Sequence, residues 1–442
     1  MDKKGSSAFL RNAFILLLLT LVGLGVFAYI RDGSQPVLSL APQSDVASYN
    51  TDFTLKITAN KIGLKNFSIS VSQDGKSVDF LERTFADKPM EHTEVFRLPR
   101  ESGFKEGPVE LTVVVRTHSL LSFIGRGKVS IVRKLTLDLT PPRVTVNQGV
   151  HNVNQGGAGA VSFTVTKPVA RVGVAVGDYF FPAYQQKSGD YFCFFAMPHE
   201  MLPTNFKPRI IVRDMAGNEA TQTLYIYAIP KEFKFDKLNV SDEFLNDKMS
   251  QYSAQYPTEQ SPLDIYKRVN NELRKQNEGE LKRIGQETAA TPLWTGPFLR
   301  LPNAAGRAGF GDQRDYFYNG MKIDHQTHLG VDLASLANAP VPAANDGKVA
   351  FAGFFGIYGN CVIIDHGLGL QSLYSHLDSI DVALGADVKR GQFIGKTGTT
   401  GLAGGDHLHF GILISGVQVS PVEWWDEHWI KDNVLKHLNR QQ

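Results

Sequence analysis

The chain has 442 residues, a length for about three domains, and 42% of them are hydrophobic, an ordinary share for globular modules. Its 46 basic and 44 acidic residues leave a formal net charge of +2, which supplies no field of the strength that nucleic-acid binding requires. Two cysteines, Cys193 and Cys361, fall in segments of different domains and read as two buried free thiols rather than a bridge.

In chain order, Asn12 to Ile30 carry no charge and are mostly Leu, Phe, Val, Ile and Gly. About nineteen helical residues span on the order of 28 Å, near the thickness of a bilayer's hydrocarbon. Lys3, Lys4 and Arg11 precede the run, so the positive-inside rule keeps the N-terminus cytoplasmic and exports the remainder. Residues 1–31 are therefore expected to be a cytoplasmic N-terminus and a single-pass anchor in the cytoplasmic (inner) membrane. A cleaved signal peptide is the competing reading, with Val26-Phe27-Ala28 as a cleavage site, although the apolar run is long for one.

Residues 36–140 show short strands of period two: Phe53 to Ile57, Phe67 to Val71, Val109 to Val115 and Val129 to Leu135. Thr140-Pro141-Pro142 ends the series, since neither proline donates to a ladder. A second β module is expected over 141–230, with strands at Val144, Val161, Val172, Tyr191 and Ile210. Its Val212-Arg-Asp-Met-Ala-Gly217-Asn218 stretch resembles the late hairpin of bacterial immunoglobulin-like domains, where Gly-Asn supplies positive φ. Two tandem Ig-like β-sandwiches, serving as a stalk, are the expected architecture of this half. Val153 to Gly159 reads as a flexible loop tip.

The composition shifts to Asp, Glu, Lys, Asn and Gln over 231–291, a helical connector. Ser261 as N-cap, Pro262 in the first turn and Asp264 open a helix. Leu263, Tyr266, Val269 and Leu273 give it one apolar stripe. Gly279 is expected to divide the segment into two helices, and its alternating charges to form a solvated face.

The last domain, 292–432, is β-rich. Gly347 to Ala352 and Cys361 to Ile364 read as buried strands, and Gly367-Leu-Gly369 turns a hairpin into the strand Leu370 to His376. Alternation there places Ser372, Tyr374 and His376 on one face, with Tyr374 either orienting His376 or packing. His366 reads as structural and His325 as rim polarity. Gly395-Lys396-Thr397 is not a phosphate loop, because only three residues separate Gly391 from Gly395. Gly401 to Gly405 is expected to be a mobile lip, and Ser420-Pro421-Val-Glu423 a capping box, with Trp425 and Trp429 stapling a last helix.

Three pieces of this domain carry chemistry: His328-Leu-Gly-Val-Asp332, Tyr374-Ser-His376, and His407-Leu-His409-Phe-Gly411. On a strand His407 and His409 project side by side while Leu408 turns inward, and extended backbone also aligns His328 with Asp332. Two imidazoles and one carboxylate (His328, Asp332, His409) are a donor set that zinc prefers where it keeps a fourth position open for catalysis. His376 and His407 remain as bases beside it.

From Phe298 to Trp425 the sequence resembles the lysostaphin-like, LytM-type zinc endopeptidases of bacterial peptidoglycan, the M23 peptidase family. The flanks add to the likeness: Phe310-Gly311 with Arg314, Pro342 to Val349, Gly359 to Gly367, and Gly391 to Gly398. An extra Asp324-His325 pair before the first ligand is a departure at the pocket rim. The resemblance implies a duplicated-hybrid-motif-like β fold, Zn2+ held by His328, Asp332 and His409, and catalytic roles for His376 and His407 in polarising water and stabilising an oxyanion. It implies hydrolysis of peptidoglycan peptides, cross-link or stem, by a mainly β protein whose catalytic domain lies in the periplasm or extracytoplasmic space. Relatives often carry a segment that shields the metal cleft, so the connector is expected to pack over or beside it. The rival functions are a non-catalytic regulator or scaffold of cell-wall hydrolases acting through the β modules, and a surface peptidase acting on proteins.

Overall fold

The computed structural model describes residues 3–33, 35–59 and 61–438. Strands dominate it, and the chain is mainly β. Two compact units divide the chain: Met1–Pro142 with Pro168–Ala170 and Arg213–Glu219, and the remainder through the C-terminus. Residues 1 and 2 of the expected N-terminal segment lie outside the described residues.

The first unit begins with the helix Lys3–Asp32, whose apolar side chains from Phe9 to Ile30 are almost all exposed. Among the described residues it alone is long and apolar enough to cross a membrane. Behind it lie a three-stranded sheet (Val37–Ala41, Phe53–Thr58, Glu91–Phe96) and a five-stranded sheet (Val46–Ala47, Lys128–Leu137, Gly107–Thr117, Leu64–Gln73, Lys76–Thr84). Period two does the work: Phe53, Leu55 and Ile57 are buried while Thr54, Lys56 and Thr58 are not. They meet Phe67, Ile69, Leu111 and Val113 in one core. The strands Lys76–Thr84 and Glu91–Phe96 left no pattern in the sequence because both are half-exposed and charged along their length.

Between residues 144 and 223 the chain forms two four-stranded sheets. One orders Tyr184–Gln185, Tyr191–Ala196, Ala158–Val165 and Val144–Gly149; the other orders Tyr179–Pro182, Val169–Val176, Arg209–Asp214 and Glu219–Thr223. Gly217, at φ +85°, makes the tight turn between the last two; Asn218 keeps an ordinary φ, and its N–H donates to the Asp214 carboxylate instead. The stretch from Val153 to Gly159 is not a free loop tip. Gly156, Gly157 and Gly159 are buried, and the Gly156 carbonyl accepts from the Ser420 N–H. Cys193 and Cys361 are buried free thiols.

The connector is not helical throughout. Phe235–Asn239 is a strand that joins Gln313–Tyr318 and Met321–Thr327 in a three-stranded sheet. Ser261 caps the helix that begins at Pro262 by accepting from the Asp264 N–H. Helical backbone then runs from Pro262 to Ile284 with Gly279 inside it, so that glycine does not divide the segment; the irregularity is a π turn at Val269–Leu273. Tyr266, Val269, Leu273, Leu281 and Ile284 bury their stripe against Phe355, Ile357, Cys361, Ile363, Leu373 and Leu413. The connector thus completes the core of the C-terminal sheet.

That sheet has ten strands, with Leu408–Ile414 at its centre between Val331–Ala334 and Leu370–Ile380. The three chemical pieces of the sequence are therefore neighbours in it. At the C-terminus the capping box does not form: Pro421 precedes Val422–Trp425 without a side-chain cap. Glu423 is buried and accepts instead from Asn154 Nδ2 at 2.8 Å and the Ala158 N–H at 3.1 Å. Trp424 is the buried staple, against Trp294, Phe298, Phe194 and Trp429, while Trp425 stacks on Phe410.

Candidate metal centre

Register places two of the groups. Asp332 and His409 are directly opposed across the antiparallel pair Val331–Ala334 and Leu408–Ile414, so both side chains leave the same face. His409 Nδ1 stands 2.9 Å from Asp332 Oδ1. His328 reaches them differently from the sequence expectation. His328 to Gly330 are not strand but the crossover between Met321–Thr327 and Val331–Ala334. Paired main-chain bonds hold the crossover, His328 N–H to Asp312 O and Gly311 N–H to His328 O. His328 Nε2 then lies 2.9 Å from both Asp332 Oδ1 and His409 Nδ1. Gly330 is required here, since a Cβ on it would sit 2.4 Å from His409 Nε2.

His376 joins by a backbone irregularity. Tyr374 opposes Phe410 and Ser375 opposes His409, so strict alternation would send His376 to the face opposite the cluster. A register shift against Asn360–Asp365 and a φ of +62° at His376 reverse that. Its ring then lies 4.9 Å from His407 and 5.8 Å from His409, centroid to centroid. Tyr374 stays on the other face and does not orient His376. Its hydroxyl accepts from the Ala344 N–H and bonds Ser372, which bonds His366 Nε2. His366 donates from Nδ1 to the Asp346 carbonyl and is fully buried, the structural role expected of it. His325 bonds Asp315 and Gln313, away from the cluster.

The hydrogen bonds fix the tautomers. His328 Nδ1 donates to Gly309 O, His376 Nδ1 to Thr400 O and His407 Nδ1 to Gly405 O, each at 2.8 Å. Each neutral ring therefore turns the lone pair of Nε2 inward. At His328 that lone pair faces a carboxylate oxygen and the nitrogen of His409, and the three atoms have at most one proton to share. Converging acceptors of this kind are the chemistry of a cation site, and the donor set fits a small divalent metal.

Electrostatics agree. Burial would raise the Asp332 carboxyl, but the imidazoles of His328, His407 and His409 outweigh it and hold the group well below the usual carboxylate range. Arg314 adds an ion pair, Nη2 to Asp332 Oδ2 at 3.3 Å. Burial pushes His409 down to about 4, against the pull of Asp332. His376 is also depressed, first by burial and then by His407 and His409. At His407 burial opposes charging, yet Asp332, 3.5 Å from its Nε2, prevails and raises its basicity.

All five groups line one cavity of about 440 Å³. The connector supplies part of its wall through Phe244, Tyr266, Asn270 and Arg274. Tyr358 packs on His409 at 5.8 Å, its hydroxyl accepting from Gln418 Nε2. No sequence pattern marked Phe244 or Tyr358, while Tyr266 was visible as a packing residue. The stretch from Gly401 to Gly405 is fastened at its base, where the Gly401 N–H donates to Gln251 and the Leu402 N–H to Ile357 O.

Residues 326–421, which hold the whole cluster, match Peptidase family M23. The C-terminal part of this chain is an M23 peptidase domain. Within it the chain is 43% identical over 95 residues to the DD-carboxypeptidase/endopeptidase Mpg of Neisseria meningitidis, covering 22% of each protein. It is 38% identical over 107 residues to the peptidoglycan DD-endopeptidase ShyB of Vibrio cholerae, covering 24% of each. The chain thus spans under a quarter of the length of these curated relatives. The lysostaphin catalytic domain from Staphylococcus simulans is 30% identical over 28% of this chain and 92% of its own length, with a TM-score of 0.25.

Proposed function

We propose that this chain is a zinc-dependent endopeptidase that hydrolyses peptide bonds of peptidoglycan, in cross-link or stem peptide, during cell-wall remodelling. Its N-terminal helix anchors it in the cytoplasmic membrane with the M23 domain outside the cytoplasm. The observation that carries the reading is the convergence of His328, Asp332 and His409 with two further imidazoles whose Nε2 atoms face the same cavity. An intact donor set favours catalysis over a purely scaffolding role, and relatives named as peptidoglycan DD-endopeptidases support the substrate.

His328, Asp332 and His409 are the proposed ligands, and zinc bound there would supply Lewis acidity toward a carbonyl and lower the pKa of water. The chain's own residues do the rest. Among the described residues Asp332 is the one carboxylate lining the cavity, and its position among the imidazoles leaves proton transfer to histidine. His376 and His407 are held by Thr400 O and Gly405 O with Nε2 presented inward, one, neutral, to take the proton of the attacking water and pass it to the departing amine, and the other, when protonated at Nε2, to donate to the oxyanion. Tyr316 and Tyr358 also line the cavity.

The test is digestion of purified sacculi by the full chain, with released muropeptides read by mass spectrometry. Chelator-stripped protein should release nothing and regain activity with Zn2+. His407→Ala should lose about 10²- to 10⁴-fold in rate, the range for general acid–base groups, while retaining zinc. Asp332→Ala should lose the metal itself. Full activity of Asp332→Ala after chelation would end the ligand assignment.

A further inference from the structure

The first unit carries a cationic recess that the peptidase chemistry does not use. It lies beside the C-terminal end of the apolar helix. The Asp32 carboxylate accepts from the Ser119 hydroxyl and from the N–H groups of Leu120 and Leu121. The Arg126 guanidinium stands 3.7 Å over the Tyr29 ring and donates to Gly33 O at 2.8 Å. The loop from Ser119 to Arg126 is thus fastened to the last turn of the helix.

Behind that loop is a cavity of about 200 Å³ lined by Lys65, Arg116, His118, Arg126 and Lys128. Register explains the clustering: Arg116 opposes Lys128 on one side and Asn66, next to Lys65, on the other. Like charges placed side by side on adjacent strands destabilise a sheet. Among the described residues no carboxylate lies within ion-pair distance of Lys65, Arg116, Arg126 or Lys128, and nearby Asp32 is already committed to the loop. His118 Nε2 is buried in the same place without a hydrogen-bond partner. On the loop itself Leu120 and Ile124 are 52% and 66% exposed.

We propose that this recess binds the phosphate of an anionic phospholipid in the leaflet where the helix emerges, with Leu120 and Ile124 dipping into the acyl boundary. The inference rests on reading the helix as a membrane anchor. Cations beside exposed apolar side chains, at the water-facing end of a bilayer-length helix, are the two halves of an interfacial lipid contact. A free phosphate would satisfy the cations but gives Leu120 and Ile124 nothing to do.

The experiment reconstitutes the full chain into phosphatidylcholine vesicles with and without phosphatidylglycerol. An environment-sensitive fluorophore is placed at position 124 through I124C, both native cysteines being buried. Emission should shift to the blue when phosphatidylglycerol is present, and phosphatidylglycerol should co-purify several-fold enriched over bulk. The variant K65Q/R116Q/K128Q, at three exposed positions, should lose both effects while floating with the vesicles as the parent does. A probe that reads water in both lipids, or a triple variant identical to the parent, overturns the inference alone. Reversal of the shift by inorganic phosphate at constant ionic strength also overturns it, in favour of a free anion. A chain that floats with neither vesicle overturns the anchor reading and the inference with it.

Discussion

His376 holds a φ of +62°, a conformation that costs a non-glycine residue on the order of 1–3 kcal/mol and is kept where the surroundings over-determine it. What that strain achieves is a reversal of face. Without it the imidazole would lie with Tyr374, behind the sheet. His376→Gly is therefore expected to melt no lower than the parent while losing about 10²- to 10⁴-fold in turnover, read from parallel thermal melts and muropeptide release. His366 supplies a separate prediction. Burial depresses it to about 4 from 6.5, so the folded state binds fewer protons than the unfolded state between these values. Its contribution is complete above pH 6.5 and is lost as pH falls toward 4, by on the order of 3 kcal/mol. Melting temperature against pH should fall more steeply on the acid side for the parent than for His366→Gln; identical slopes would contradict this. That His328, Asp332, His376, His407 and His409 gather around one cavity was legible from residue types and spacing together with the matching flanks of the family resemblance. The route by which His376 and His328 arrive was not, since a bulge and a crossover obey no alternation. Glu423 was misread for another reason: its partner Asn154 is 269 residues away, and local capping rules cannot see it.

The connector shows at the level of elements how an apolar stripe can be read correctly and its role too narrowly. Tyr266, Val269 and Leu273 do form one face, yet that face is buried against Ile363, Leu373 and Leu413 of the strands that carry the site. The same segment lends Phe244, Tyr266, Asn270 and Arg274 to the cavity wall, so packing and access are properties of one element. Truncation near Pro292 would strip the sheet of this cover, and several apolar side chains worth about 1.5–3 kcal/mol each would face water. The truncated chain is expected to aggregate or melt well below the parent, as size-exclusion chromatography and calorimetry would show. A soluble, cooperatively melting fragment would mean that the connector only shields. Gly279, expected to break the helix, stays helical because packing on both sides outweighs the roughly 1 kcal/mol of its intrinsic cost.

Across the whole molecule, a mainly β chain was legible because some strands, such as Phe53–Thr58, bury alternate residues and others, such as Tyr191–Ala196 and Asn360–Asp365, are nearly continuous apolar runs, whereas the charged, half-exposed Lys76–Thr84 and Glu91–Phe96 were missed. The length and apolarity of the N-terminal helix were equally plain, since nothing but a run of uncharged residues is needed to see them. The strand at Phe235–Asn239 and the buried glycines around Gly156 were hidden, as each is fixed by long-range contact rather than by local pattern. The proposed peptidase chemistry depends on two nitrogens and one oxygen sharing a divalent ion. Anomalous diffraction from crystals of the zinc-loaded chain, recorded across the zinc absorption edge, measures this directly. A single strong peak bounded by His328 Nε2, Asp332 Oδ1 and His409 Nδ1, each at about 2.0–2.2 Å, is the predicted result. Zinc found elsewhere, or no peak among these three residues in protein that digests sacculi, would contradict it.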